Sequence, residues 1–159
     1  MGCQQLNKYT MKTSDINTVY YFAYGHNTQS EAMKHRCPGA ELIGTAILKN
    51  FQLSFKHFSN IENHDGASIT GVLWKISDDD LQALDDDEGL HSHYNRIPVE
   101  VHTKKKAYRA TTYIMDPLYD PHSVPEKSYI RNVASGYAEH GIPLAQISDA
   151  LHDAKDSIA

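Results

Sequence analysis

Hydrophobic positions along this chain follow two periods, and the switch between them divides it. Val19, Tyr20, Tyr21, Phe22, Ala23 and Tyr24 form an unbroken aromatic and β-branched run, which predicts a first strand. Ser30 opens a short predicted helix over 30–36 before Pro38-Gly39 turns the chain. A second strand is expected over 41–48. Phe51, Leu53 and Phe55 then alternate with polar residues, and 67–76 is another β-rich run. That pattern predicts a hairpin or meander across a polar loop at 59–66, a candidate flap. Ser77 followed by Asp78, Asp79 and Asp80 has the form of a capping box, and Leu81 and Leu84 share one face of a short helix ending near Gly89. Ile97, Val99 and Val101 alternate again, and 107–115 is a partner strand across the turn at Lys104, Lys105 and Lys106.

After a Pro-rich loop at 117–125 the period changes. Ile130, Val133, Ala134 and Tyr137 recur at i, i+3, i+4 and i+7 up to Gly141, and Pro143 opens a last helix with Leu144, Ile147 and Leu151 inward. Five or six mostly antiparallel strands followed by helices predict an α+β domain built on a curled sheet or small barrel. One domain is expected over 18–159, behind a polar, poorly ordered lead-in at 1–17 in which Met11 is an alternative start.

The length of 159 residues suits a single core, and a formal net charge of -5 argues against a nucleic-acid surface. Cys3 and Cys37 cannot form a disulfide framework, and no secretory or membrane-spanning run appears. Met1-Gly2-Cys3 lacks the Ser or Thr that an acylation signal wants at position 6, where Leu6 stands. The expected compartment is the cytoplasm, with no nucleic-acid or membrane partner. Ten histidines raise a metal site as a rival reading, with His91 and His93 two apart and His57 with His64. No matching His or carboxylate pattern accompanies them, so no metal is expected.

Two segments carry candidate chemistry. The first strand stops at Tyr24-Gly25-His26-Asn27, where a glycine permits positive φ and close backbone approach. Freed N–H groups there converge in an anion-binding loop, or the segment is a plain hairpin turn with exposed polar residues. The second is Leu84-Asp85-Asp86-Asp87-Glu88-Gly89. Carboxylates are unfavourable at a helix C-terminus, so an acid beside the turning glycine stands out. Glu88 is best placed to point inward, and the other three read as a solvated helix end.

Together these segments resemble the γ-glutamylcyclotransferase family, which has a Tyr-Gly-Ser-Asn turn and a Leu-Asp-x-x-Glu-Gly motif. The likeness continues through Gly71-Val72-Leu73-Trp74-Lys75, Tyr113-Ile114-Met115, Tyr129 and Gly141-Ile142-Pro143-Leu144, spanning about 19–152. The resemblance implies a small β-barrel with surrounding helices and a cofactor-independent enzyme. Its implied reaction turns a γ-glutamyl amino acid into 5-oxoproline and a free amino acid. It places the acid/base role on Glu88 and substrate positioning on Tyr21, Phe22, Ala23, Tyr24, Gly25, His26 and Asn27. Tyr129 and Tyr113 match pocket tyrosines, each with core packing as its plain alternative. His26 departs from the family's serine and is expected to alter substrate preference, by bulk or by charge. Alternatives within the resemblance are a non-catalytic γ-glutamyl-binding module and an enzyme for γ-glutamylamines or glutathione. A homodimer is implied by resemblance alone.

Overall fold

The structure, a computed structural model, describes residues 18–89 and 93–158. The expected lead-in at 1–17 and His91 lie outside the described residues. The elements are β1 (Thr18–Ala23), α1 (Ser30–Arg36), β2 (Glu41–Lys56), β3 (Phe58–Ser77), α2 (Asp78–Glu88), β4 (Tyr94–His102), β5 (Ala107–Met115), α3 (Lys127–His140) and α4 (Ala145–Ile158). A 3-10 turn, His26–Thr28, joins β1 to α1.

The strands close into a barrel in the order β1-β3-β2-β4-β5. β1 runs antiparallel to β3 from Thr18↔Ser77 to Ala23↔Val72, and its other edge meets β5 in parallel at Tyr21↔Thr111. That parallel contact completes an otherwise antiparallel ring. The α+β class and small barrel expected from the pattern are present.

The segment at 59–66 is not a loop. β2 and β3 form one long hairpin that turns at His57, with Lys56 paired to Phe58 and Phe55 to Ser59. His57 takes φ 65°, and its N–H donates to the Ser123 carbonyl at 2.7 Å. Glu62, Asn63, His64 and Asp65 carry polar side chains because this stretch is only partly covered. The ladder pairs Glu62 with Gln52 and Asn63 with Phe51, and His64 and Asp65 lie in the register shift before Ser68, an arrangement that a loop reading based on polarity misses. A register shift between Lys49 and Phe51 puts Asn50 at φ 66°, and its side-chain oxygen accepts from Gly66 N–H at 3.1 Å.

The core joins Phe22, Ile61, Ile69, Val72, Leu73 and Val101 of the barrel to Leu84 of α2 and Val133 and Tyr137 of α3. Burying each such side chain stabilises by about 1.5–3 kcal/mol. α4 is tied on by Gln146, whose amide accepts from Thr70 N–H at 2.9 Å and donates to the Thr70 carbonyl at 2.8 Å. Its inward face is Ile147, Ala150 and Ala154, whereas Leu144, expected inward, is 52% exposed because it precedes the first helical turn.

Candidate active site

β1 delivers the chain to the barrel rim, where Tyr24 and Gly25 lead into the 3-10 turn. Three hydrogen bonds to backbone carbonyls fix this exit. The Tyr137 hydroxyl donates to Tyr24 O at 2.7 Å, the Trp74 indole N–H to Asn27 O at 3.0 Å, and the Thr28 hydroxyl to Gly25 O at 2.7 Å. With its acceptors occupied by buried donors, the segment has one arrangement. Gly25 has φ −120°, so the positive φ anticipated for it is not used. Its glycine is required by close approach, since a Cβ there would overlap Ser59 Oγ.

Across from this turn, α2 brings in the acidic segment. Ser77 and Asp80 form the capping box, and Gly89 ends the helix at φ 63°. Leu81, Leu84, Asp85 and Glu88 follow at i, i+3, i+4 and i+7, one face of the helix; the first three are buried and Glu88 is half-buried. Asp85 is therefore no solvated carboxylate. It is 3% exposed, accepts from the Tyr113 hydroxyl at 2.6 Å, and pairs with Arg96 Nε at 3.0 Å. A buried acid needs such partners, and these anchor the helix end to β4 and β5.

Between turn and helix lies a cavity of about 560 Å³. Tyr21, Tyr24, Gly25, His26, Asn27, Glu88, Tyr113 and Tyr129 line it; Phe22 and Ala23 do not. Phe22 faces the barrel core with no exposure, and the Ala23 carbonyl packs against Gly71, so neither residue reaches the cavity wall.

Burial, with Asp87 adding to it and Arg36 opposing, pushes the Glu88 carboxyl up to about 7. Burial also raises Tyr21, Tyr24, Tyr94, Tyr113 and Tyr129, leaving their phenols protonated as donors near neutral pH. His26 is lowered by burial and then by Arg36, so its imidazole is neutral at pH 7, and bulk rather than charge separates it from serine.

Several residues at the cavity carry no recognisable motif. Ser59 is fixed between two tyrosines: its N–H donates to Tyr129 Oη at 3.0 Å, its hydroxyl lies 2.6 Å from the same oxygen, and its carbonyl accepts from Tyr94 at 2.8 Å. Pairing of 59–66 as strand would have brought Ser59 to notice. Phe58, stacked edge-on against Tyr129, and Tyr119, edge-on against His93, form the outer wall. Arg36 enters from the end of α1; no spacing in the sequence marks it.

Among the described residues no group of three or more His, Cys, Asp or Glu is placed to hold a metal ion, and no helix is long and apolar enough to cross a membrane.

A half-buried carboxylate and a fixed polar turn thus line one cavity of a closed barrel. Residues 21–133 match the family described as Gamma-glutamyl cyclotransferase, AIG2-like, and the chain belongs to that family. A Homo sapiens protein named Gamma-glutamylcyclotransferase is 30% identical over 149 residues, covering 82% of this chain and 76% of its own. Its Bos taurus counterpart of the same name is 29% identical, covering 90% of this chain and 80% of its own. A human crystal structure superposes with TM-score 0.73 at 29% identity over 87% of both chains. Another solved structure, named Gamma-glutamyl cyclotransferase, gives 0.73 at 27% identity over 87% of this chain and 86% of that one.

Proposed function

We propose that this enzyme is a γ-glutamylcyclotransferase that cyclises γ-glutamyl amino acids, with Glu88 as its acid and base. The observation carrying the reading is Glu88 itself: a carboxyl held near 7, half-buried, in a cavity shared with the Gly25–His26 turn. An ordinary carboxylate is too weak a base for an ammonium group, whereas one tuned near neutrality exists in both protonation states at pH 7.

The proton accounting is simple. Ionised Glu88 takes a proton from the substrate α-ammonium, and the freed amine attacks the γ-carbonyl carbon. The new C–N bond closes a five-membered ring and places negative charge on the carbonyl oxygen. N–H groups at the start of the 3-10 turn, unpartnered within the turn itself, are donors for such an oxyanion or for the substrate carboxylate. Glu88 returns its proton to the departing nitrogen as the old amide bond breaks, then takes the extra proton left on the ring nitrogen and passes it to the released amine, which leaves as an ammonium. The products are 5-oxoproline and a free amino acid, and Glu88 ends ionised as it began. Walls of phenols and a fixed turn favour the folded-back substrate conformer, a positioning effect that rivals proton transfer in size.

Purified protein incubated with γ-glutamylalanine should release 5-oxoproline, and Glu88→Gln should lower kcat by roughly 10²–10⁴-fold. The acid limb of kcat/KM should rise with pH to a plateau through an inflection near 7, because only ionised Glu88 accepts the proton. No 5-oxoproline from a panel of γ-glutamyl amino acids, amines and glutathione would sink the reading.

A further inference from the structure

We propose that Arg36 is the carboxylate anchor of the cavity: its guanidinium takes the α-carboxylate of the γ-glutamyl group, making the site selective for an intact α-amino-acid head. This rests on the cyclotransferase reading and adds to it a residue that sets what the site accepts.

Charge in the cavity makes the case first. Asp86, Asp87 and Glu88 line it, and among its described lining residues Arg36 is the only permanent cation. The neighbouring His26 is held neutral at pH 7. A ligand carboxylate entering beside three acids has one group of opposite charge to meet.

Geometry supplies the second part. The Arg36 side chain is 27% exposed, and two groups from two elements hold its planar head. Nε pairs with Asp87 at 3.2 Å, and Nη1 donates to the Asn27 side-chain oxygen. Asn27 is itself fixed, donating from its amide nitrogen to the Tyr21 hydroxyl at 3.1 Å. A guanidinium carries five N–H donors, and neither contact uses Nη2. A preset fork with donors to spare suits a carboxylate.

The third part is the shape of the substrate head. Its ammonium and carboxylate sit on one carbon, so a site that recognises both needs an acid and a cation side by side. Glu88 and Arg36 line the same cavity, and Arg36 is paired to Asp87, the residue immediately before Glu88. With the α-carboxylate on Arg36 and the α-amine at Glu88, the γ-carbonyl falls to the Gly25–His26 turn. Its N–H groups then serve the oxyanion, and the departing group lies toward Phe58 and Tyr119.

Three compounds separate the possibilities. γ-Glutamylalanine has both carboxylates, γ-glutamylethylamide lacks the one on the leaving group, and 4-aminobutyrylalanine lacks the α-carboxylate. Arg36→Gln should raise KM for the first two by roughly ten- to a hundredfold, with kcat changed only a few-fold. The wild type should prefer γ-glutamylalanine over 4-aminobutyrylalanine, measured by competitive inhibition, and Arg36→Gln should erase that preference. Arg36→Lys, which keeps the charge and loses the fork, should recover part of it and serves in place of the Gln variant if that one does not fold. A loss confined to γ-glutamylalanine would move Arg36 to the leaving-group carboxylate and overturn the assignment. So would equal weakening of 4-aminobutyrylalanine, or a fall in kcat at constant KM. Those outcomes leave 5-oxoproline release by the wild type intact, whereas its absence takes down the cyclotransferase reading and this one together.

Discussion

The two sides of the cavity are held by different kinds of contact. The Tyr24–Thr28 side is fixed through its backbone: carbonyls of Tyr24, Gly25 and Asn27 accept from Tyr137, Thr28 and Trp74. The Glu88 side is fixed through side chains, with Asp85 on Tyr113 and Arg96 and Asp87 on Arg36. Backbone anchoring tolerates a change in the half-buried His26 side chain, so specificity can vary there. The buried Asp85 is the main anchor of the helix end beside Glu88 and the Arg36–Asp87 pair is part-exposed, so the position of the acid rests chiefly on one side chain and is easier to lose.

Asp85→Ala should have the largest structural effect, because it strands the Tyr113 hydroxyl and half-exposed Arg96 while leaving a void beside Leu84. We expect a loss of about 2–4 kcal/mol by denaturant unfolding and a fall in kcat larger than any change in KM. Unchanged kcat would show that the helix end needs no such anchor.

Gly136→Ala tests the other wall. A Cβ at Gly136 of α3 would overlap Thr28 Oγ1 and press within 2.9 Å of Gln29 N, pushing on the turn from behind. A destabilisation of about 1–3 kcal/mol is expected, with KM rising more than kcat falls. The opposite split would mean that the two walls are not distinct in function.

Glu88→Gln also has a stability consequence. The native state holds a proton on Glu88 up to about 7, while the ordinary value is 4.5, so between these the native state binds more protons than the unfolded chain. Stability from this group is therefore present below about 4.5 and lost as pH rises to about 7. The neutral Gln variant should match the wild type near pH 4 and exceed it by about 1–2 kcal/mol at pH 8 in thermal melts. Equal stability at both pH values would mean that Glu88 is solvated.

His26→Ser should have the smallest effect, within about 1 kcal/mol in stability. Turnover is expected to persist with a shifted order of preference among γ-glutamyl substrates. A loss as deep as that of Glu88→Gln would make His26 a participant in the chemistry.

Much of the barrel was legible because its strands alternate and its helices carry proper ends, such as the Ser77 box and the glycines after Glu88 and His140. What misled was polarity standing in for position. Residues 62–65 look like loop and are strand, with Glu62 and Asn63 paired to Gln52 and Phe51 whatever their side chains. Asp85 looks like its acidic neighbours, although its spacing from Leu81 and Leu84 places it on the buried face. In the cavity, residues beside motifs could be named, whereas Ser59, Tyr94 and Arg36 arrive from other elements. Only the closed barrel brings them together. Phe22 and Ala23 were included because the segment was read as a unit, but both are packed into the core while Tyr21 and Tyr24 on either side of them reach the cavity.

The parallel meeting of Tyr21 with Thr111 carries one more consequence. A five-strand sheet left open would present two rims of unpaired amides and carbonyls, a template for strands from other copies of the chain. Here the strand that seals those rims is the one that feeds the cavity. A defect that parts β1 from β5 would therefore disable the enzyme and make it self-associate in the same step, and inactive protein of that kind would be found in aggregates rather than as a soluble, silent monomer.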